Sequence, residues 1–191
     1  MSHREQLLSA ARRCLEQRGY ARTTARDLVA ESGTNLASIG YHFGSKEALL
    51  NQAMMDAFAE YADKLIAVAE VSADAADPLG GLRRSWIVMV EEFANMRPLL
   101  VAFIEAMAQA ERHPQVRAEL AGGYERLRAA IAANVTGDGV TGDGVTGDGA
   151  ESIASFLIAV SDGLMVQFLL DPERAPDGAQ AFDAASMIFG S

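Results

Sequence analysis

TARDLVAESGTNLASIGYHFGSKEALL, the stretch at residues 24–50, contains the start and stop signals of successive short helices. Thr24 and Asp27 have the spacing of a capping box, with Asp in place of the usual Glu or Gln, and apolar residues follow them. Gly33 can end that helix because glycine adopts a positive φ at little cost. Asn35 is a favourable N-cap for a second short helix. The pattern therefore predicts two short helices separated by a glycine turn.

A third, longer helix follows the second almost directly. Gly44 ends the second helix, and Ser45 is a favourable N-cap for the next one. A helix, a tight glycine turn and a short helix form the layout of a helix-turn-helix, whose second helix lies in the major groove of DNA. Helix–Gly–helix also occurs in unrelated bundles, so the identity of the surrounding residues matters.

Those surrounding residues resemble the DNA-binding region of the TetR family of transcriptional regulators. The matching positions are Gly19-Tyr20, Thr23-Thr24, Arg26-Asp27-Leu28, Gly33 and the run YHFGSKEAL at residues 41–49. The detailed match covers roughly the first quarter of the chain, and the remainder resembles only the general plan of the family. The resemblance implies a homodimeric repressor that a small-molecule effector releases from a palindromic operator.

The resemblance also implies an all-α fold of about nine helices in two domains. A three-helix helix-turn-helix domain is expected at residues 1–47, and a long helix joins it to an effector-binding and dimerisation domain at residues 48–191. Abundant Ala and the scarcity of Pro outside turns agree with an all-α protein.

The predicted DNA contacts lie in and around the second helix of the motif. They are Thr23, Thr24, Thr34, Asn35, Leu36, Ala37, Ser38, Gly40, Tyr41, His42 and Lys46. The small residues permit close approach to base edges and to thymine methyl groups, and Asn35 and Ser38 are expected to reach bases. Ile39 and Phe43, four residues apart, are expected to anchor the helix to its neighbours.

By the resemblance, several of these residues face the phosphate backbone. Tyr41, His42 and Lys46 are expected there, and the hydroxyls of Thr23 and Thr24 act with the helix N-terminus. The alternative is that Tyr41 and His42 only cap a small core. Because adjacent helix residues point in different directions, one of these two turns inward, and Tyr41 is the favoured outward residue.

The net charge of −10 is divided unevenly along the chain. Residues 1–50 hold seven basic and five acidic residues, a net charge of +2, and the remainder holds nine basic and twenty-one acidic residues, a net charge of −12. Such asymmetry is what a polyanionic partner at one end would favour, and the acidic remainder would help to confine DNA to the N-terminal face. Acidic helices can equally be solvated faces.

Other classes of protein lack support in the sequence. A Walker loop, a dinucleotide-binding glycine pattern, a metal-binding His pair and a G-x-S-x-G motif are all missing, so we expect neither an enzyme nor a cofactor nor a metal site. The single Cys14 cannot form an intrachain disulfide and is expected in the core. No apolar run approaches the length of a membrane span and the polar start is not a signal peptide, so a cytoplasmic location is expected.

Pro and Gly mark the predicted breaks in the second domain. Residues 72–81 are predicted to be a loop, and Arg97-Pro98 to separate two apolar helices at 82–96 and 99–111. Residues 135–149 are VTGDG three times in tandem, and two glycines in every five residues predict a flexible linker. The five-residue spacing of the Asp residues does not fit known calcium loops.

The resemblance implies an effector pocket and a dimer interface in the second domain. The pocket candidates share an apolar, mostly aromatic or thioether character: Trp86, Met89, Phe93, Met96, Phe103, Met107 and Tyr124. The interface candidates lie on the last two helices: Phe156, Val160, Leu164, Phe168, Phe182 and Phe189. The alternative for the pocket set is ordinary core packing, since apolar residues at helical spacing are usually core.

A second class of function remains open at this point. The chain could be a helical bundle that binds a small molecule or a protein and whose helix-turn-helix does not bind an operator. An electrophoretic shift with the upstream intergenic DNA separates the two.

Overall fold

In the computed structural model, residues 2–71, 80–135 and 147–189 are described, and these ranges contain eight α-helices and no β-strand. The helices are α1 (His3–Arg18), α2 (Ala25–Ser32), α3 (Leu36–Phe43), α4 (Lys46–Val71), α5 (Gly80–Ala110), α6 (Pro114–Val135), α7 (Gly147–Leu170) and α8 (Gly178–Phe189). The all-α fold with an N-terminal helix-turn-helix is thereby confirmed.

The N-terminal helices begin and end at the predicted signals. Thr24 caps α2 in a reciprocal capping box with Asp27, and the Asn35 side chain caps α3 by accepting from the Ser38 N–H. Gly33 has φ 68° and ends α2 in the left-handed region, where a Cβ would be strained. Local sequence thus fixes the angle at which the chain enters α3.

The prediction of two helices around Pro98 is wrong, because α5 continues through it from Gly80 to Ala110. A proline inside a helix loses one hydrogen bond and crowds the preceding turn, at a cost of about 3 kcal/mol. The residues that follow it are apolar and buried, among them Leu99, Leu100 and Phe103. Their burial is large enough to offset that cost, so the total falls from about nine helices to eight in the described residues.

The long fourth helix is confirmed at Lys46–Val71, but both ends of the predicted linker at 135–149 are helical. Val135 is the last residue of α6, and Gly147–Gly149 form the first turn of α7, so the glycines there do not prevent a helix. The rest of the VTGDG repeat, residues 136–146, lies outside the described residues, as does most of the predicted loop at 72–81.

The chain groups into two compact units. One consists of Met1–Ala59 with Met96–Tyr124, and the other of Glu60–Asn95 with Glu125–Ser191. Parts of α5 and α6 therefore belong with the helix-turn-helix, and α4, α5 and α6 each contribute to both units. The division at residue 47 stays a prediction.

Each unit has its own apolar interior. In the first unit, the largest fully buried apolar side chains are Leu7, Leu15, Leu28, Leu49, Leu50 and Met54. In the second unit, the buried residues include Trp86, Met89, Phe93, Ala154, Ile158, Leu164 and Phe182. Within this first unit, α1 packs against both α2 and α3, which also contact each other.

One described helix, at Asp148–Leu170, is long and apolar enough to cross a membrane by length and composition alone. This corrects the expectation that no apolar run reaches that length. Length and composition do not distinguish a membrane span from a helix that packs against protein, so the observation is weak evidence for a membrane.

Candidate nucleic-acid interface

The outward face of α3 consists of uncharged side chains. Leu36 is 55% exposed and Tyr41 is 86% exposed, and Ala37 and Gly40 are exposed between them. Gly40 follows Ala37 by three residues and Leu36 by four, and Tyr41 follows Ala37 by four, which places them on one surface of α3. Four of the predicted DNA contacts are therefore brought together on one accessible face.

The opposite face of α3 anchors it, as predicted for Ile39 and Phe43. Ile39 is buried, and Phe43 is half-buried with the guanidinium of Arg4 lying 5.5 Å from its ring centroid. His42 is also half-buried, with its ring edge-on to Tyr41 at 4.8 Å between centroids. Of the adjacent pair, Tyr41 is the one that faces outward, as expected.

The structure contradicts the expectation that Ser38 reaches bases. Ser38 is only 8% exposed, and its Oγ donates to Asn35 Oδ1 at 3.2 Å. Its backbone N–H donates to the same oxygen at 3.0 Å. Position 38 is the third residue after the N-cap, where the helix start closes back on the capping side chain, so Ser38 completes the cap.

Thr23 is a second correction. It is 1% exposed, and its hydroxyl donates to the carbonyl of Gly19 at 2.7 Å, so it ties down the chain after α1 and does not offer a hydroxyl to phosphate. Thr24 is exposed at the start of α2, where its Oγ1 donates to Asp27 Oδ2 at 2.6 Å. Thr34 is half-buried, with its hydroxyl 2.7 Å from that of Ser32.

Lys46 already has partners within the chain. Its Nζ donates to the carbonyl of Thr23 at 3.0 Å and lies 3.3 Å from Glu47 Oε1. An ammonium group has three donors, so one remains for another acceptor. Its contact with phosphate stays a prediction.

Arg26 is a further cationic residue that sequence reasoning did not select. It is exposed in the first turn of α2, and no ion pair joins it to any other residue that the structure describes. A cation at a helix N-terminus is opposed by the helix dipole, so its presence there favours an external anion as the partner. By contrast, Arg18 pairs with Asp27 at 3.3 Å.

Two polar contacts connect the N-terminal helices to the parts of α5 and α6 that belong to the same unit. The Glu105 carboxylate accepts a hydrogen bond at 2.9 Å from the backbone N–H of Ala21, in the turn before α2. The buried Asn51 of α4 donates from Nδ2 to Glu119 Oε2 of α6 at 2.5 Å. Burial, with the carboxylates of Glu47 and Glu119 nearby, raises the pKa of the neighbouring Tyr20.

The predicted effector contacts are divided between the two units. In the first, Phe103 packs edge-on against Phe58 with centroids 5.3 Å apart and lies 6.0 Å from the ring of Tyr124. Met96 is half-buried and Met107 is exposed. In the second, Met89 is buried, and Trp86 and Phe93 contact residues predicted for the dimer interface, as described next. The seven predicted residues therefore do not all belong to one unit.

Most of the predicted interface residues already pack within the chain. Phe182 is buried edge-on against Trp86 with centroids 5.8 Å apart, Phe168 lies 5.7 Å from Phe93, and Leu164 is buried. Val160 is half-buried, and Phe156 is exposed. The side chain of Phe189 lies outside the described residues.

The exposed apolar surface of α7 has a different register from the predicted one. We call it the α7 seam, and it comprises Phe156, Ala159, Gly163, Val166 and Leu170. Alternating steps of three and four residues keep the seam on one side of the helix. The predicted interface residues of this helix are instead spaced by four. At about 100° per residue, each step of four moves the side chain by about 40° around the helix axis, so the predicted residues turn progressively toward the core. The exposed seam and the predicted interface therefore share Phe156 and differ in register after it.

The described residues also bear on metal binding and on the reactivity of the single thiol. No group of three His, Cys, Asp or Glu side chains there is close enough to hold a metal ion. Cys14 is buried, and this burial raises the pKa of its thiol, which makes it less reactive.

Comparisons with known proteins cover most of the chain. Residues 7–53 match the model of the bacterial regulatory proteins of the TetR family, and residues 78–187 match the C-terminal model of BetI-type transcriptional repressors. The HTH-type transcriptional regulator TtgR of Pseudomonas putida is 37% identical over 89 residues, which are 47% of this chain and 41% of TtgR. The chain thus matches about two fifths of the length of that relative.

Solved structures agree in fold. A putative TetR-family regulator from Rhodococcus sp. has a TM-score of 0.68 at 19% identity, with full coverage of both chains. The multidrug-binding protein EbrR, solved with proflavin, has a TM-score of 0.64 at 24% identity, covering 98% of this chain and 100% of EbrR. At these identities the likeness shows the shared fold alone.

Proposed function

Because the chain belongs to the TetR family of bacterial regulatory proteins, we propose that it is a homodimeric repressor that binds a palindromic operator and is released by a small-molecule effector. The observation that carries this proposal is the outward face of α3. It is exposed, carries no side chain that is charged at neutral pH, and is held in orientation by Gly33 and by the cap at Asn35. Members of this family are regulators and not enzymes.

The proposed DNA contacts separate into base readout and phosphate binding. Asn35, Leu36, Ala37 and Gly40 face the bases, because they lie at the N-terminal part and outward face of α3. For the phosphates we propose Arg26, Tyr41 and Lys46, together with Thr24 and His42 at the rim. Phosphate contacts set the register of the protein on DNA, and base contacts set its sequence preference.

Dimerisation is supported by the apolar surface that α7 and α8 leave uncovered. The α7 seam has heptad spacing, and Met187 and Ile188 of α8 are also exposed. A contiguous exposed apolar face is unfavourable in a free monomer and is typical of an interface. Two copies related by a two-fold axis would present two α3 helices to half-sites about one helical turn apart.

Effector release is supported by an aromatic cluster close to a contact with the DNA-binding helices. Phe103 packs against both Phe58 and Tyr124, and it is two residues from Glu105 on α5. We propose that an apolar ligand at this cluster displaces this part of α5 and thereby breaks the hydrogen bond from Ala21 to Glu105. Linkage then requires that DNA weaken ligand binding by the same factor as the ligand weakens DNA binding.

We assign the protein to the cytoplasm, where it would meet the operator. An electrophoretic shift with the upstream intergenic DNA tests the proposal. We expect a specific complex that survives excess non-specific DNA, and sedimentation that gives twice the mass of the chain. If neither this DNA nor a randomised library yields a bound palindrome, the protein is instead a ligand-binding or protein-binding bundle without an operator.

A further inference from the structure

We infer that α3 recognises thymine methyl groups, so that each operator half-site is centred on thymines contacted by Leu36 and Ala37. This inference rests on the proposed operator binding and adds the chemistry of the site that is recognised. It follows from two observations. The outward face of α3 offers apolar side chains to a base, and the cap of α3 already uses the side-chain oxygen of Asn35.

The outward face of α3 lacks the side chains that usually identify guanine and cytosine. Arg or Lys reads guanine, Glu or Asp reads the cytosine amino group, and none of these occurs from Thr34 to Tyr41. Leu36 and Ala37 offer only apolar surface. In the major groove, thymine is the unmodified base that presents an apolar group, its 5-methyl. Leu36 and Ala37 can therefore discriminate between bases mainly by contact with that methyl.

The cap of α3 also restricts what Asn35 can do. Its Oδ1 accepts from both the N–H and the hydroxyl of Ser38, at 3.0 and 3.2 Å. Two-point recognition of adenine needs an asparagine oxygen and nitrogen together, so the capped Asn35 keeps only its Nδ2 donor for a base. That donor fits the O4 of thymine or the acceptors of guanine. It is thus compatible with a thymine beside Leu36 and does not by itself select adenine.

Gly40 gives independent support from the backbone. It is helical, it does not have a positive φ, and a Cβ built there would meet no atom within 4 Å apart from the adjacent backbone of its own helix. Nothing within the chain requires glycine here, although glycine costs an exposed helix up to about 1 kcal/mol relative to alanine. Gly40 lies one turn from Leu36 and Ala37 on the same face. Close approach of a base-pair edge to the backbone accounts for the missing side chain.

Replacing thymine by uracil removes the methyl and keeps the base pair, which makes the inference directly testable. An operator is first selected from a random library with the full-length protein, and each thymine is then changed singly to deoxyuridine. We expect about fourfold weaker binding for each methyl contacted by Leu36 or Ala37, from the burial of one carbon, and no change at thymines elsewhere. The Leu36→Ala variant should lose most of this sensitivity at one position of each half-site.

A second variant tests the close approach without a folding artefact. Gly40→Ala should keep or raise the melting temperature, because it fits the helix, and should weaken operator binding by at least about tenfold through overlap with the base edge. If an operator is selected but uracil is tolerated at every position, or Gly40→Ala binds equally well, the inference is overturned and the repressor proposal stands. If no DNA is selected at all, both fail together.

Discussion

Glu105 of α5 holds the turn that precedes the helix-turn-helix, since its carboxylate accepts a hydrogen bond from the backbone N–H of Ala21 at 2.9 Å. A Cβ on Gly19 would lie 3.3 Å from the same carboxylate, so the chain passes close to it. This contact connects a helix with proposed effector-binding residues to the turn that leads into α2. It gives a movement of this part of α5 a direct route to the DNA-binding helices.

Removing this acceptor should loosen the turn before α2. In Glu105→Ala, we expect the Ala21 amide to exchange its hydrogen roughly fivefold faster, which corresponds to about 1 kcal/mol for a typical hydrogen bond. Operator affinity should fall with it. Glu105→Gln keeps an oxygen acceptor and serves as the matched control, with exchange close to that of the unaltered chain. Equal exchange in all three proteins would contradict the route through Glu105.

Lowering the pH should destabilise the start of α2, because Asp27 becomes protonated. Hydrogen bonds from Thr24, assisted by Arg18, hold the pKa of Asp27 below its ordinary value of 3.8. A carboxylate with a lowered pKa in the folded state contributes stability above the unfolded pKa and loses that contribution as the pH falls through the folded pKa. We expect Thr24→Ala to move the pKa of Asp27 upward, and Thr24→Ser to leave it lowered. Carboxyl chemical shifts measured against pH decide between these outcomes.

The α7 seam should govern dimerisation without governing the fold of the monomer. Val166 is 40% exposed in the single chain, so Val166→Glu should fold normally but place an unpaired charge in the proposed interface, at a cost of several kcal/mol. Sedimentation velocity should show a monomer, and operator binding should fall. Leu164 is buried within the chain, and Leu164→Glu should instead lower the melting temperature. A dimer that persists in Val166→Glu would show that the interface lies elsewhere.

Arg26 should contribute to phosphate binding without affecting sequence preference. Because Arg26→Ala removes an exposed cation without breaking an ion pair to another described residue, the melting temperature should change little. Binding to specific and non-specific DNA should weaken alike, and the salt dependence should flatten by about one unit of slope per lost contact, hence about two per dimer. Titrations at several salt concentrations measure this. A changed order of preference among operator variants would instead place Arg26 at the bases.

Much of the first unit could be predicted from sequence because its structure is set locally. Thr24, Gly33 and Asn35 act through hydrogen bonds and φ values within a few residues, so capping rules recover α2 and α3. The same local rules recover Ile39 as the anchor. They place the outward face of α3 correctly at Leu36, Ala37, Gly40 and Tyr41.

The errors arose where non-local packing or a competing hydrogen bond decides the outcome. Pro98 signals a break, but burial of the residues after it keeps α5 continuous. Thr23 and Ser38 have hydroxyls that suit DNA, but the carbonyl of Gly19 and the side chain of Asn35 take them. The register of the α7 seam depends on which side of the helix packs against the rest of its unit. Helical spacing alone does not specify that side.

The side chains at the outward positions of α3 contribute little to the stability of the fold, and this affects how such a regulator diverges in evolution. Substitutions at Leu36, Ala37, Gly40 or Tyr41 remove little from the core, which Ile39 and the caps maintain from the other side. After gene duplication, one copy can therefore drift at these few codons and acquire a separate target while its scaffold remains intact. Paralogues that share a fold but control different genes are the expected outcome of that freedom.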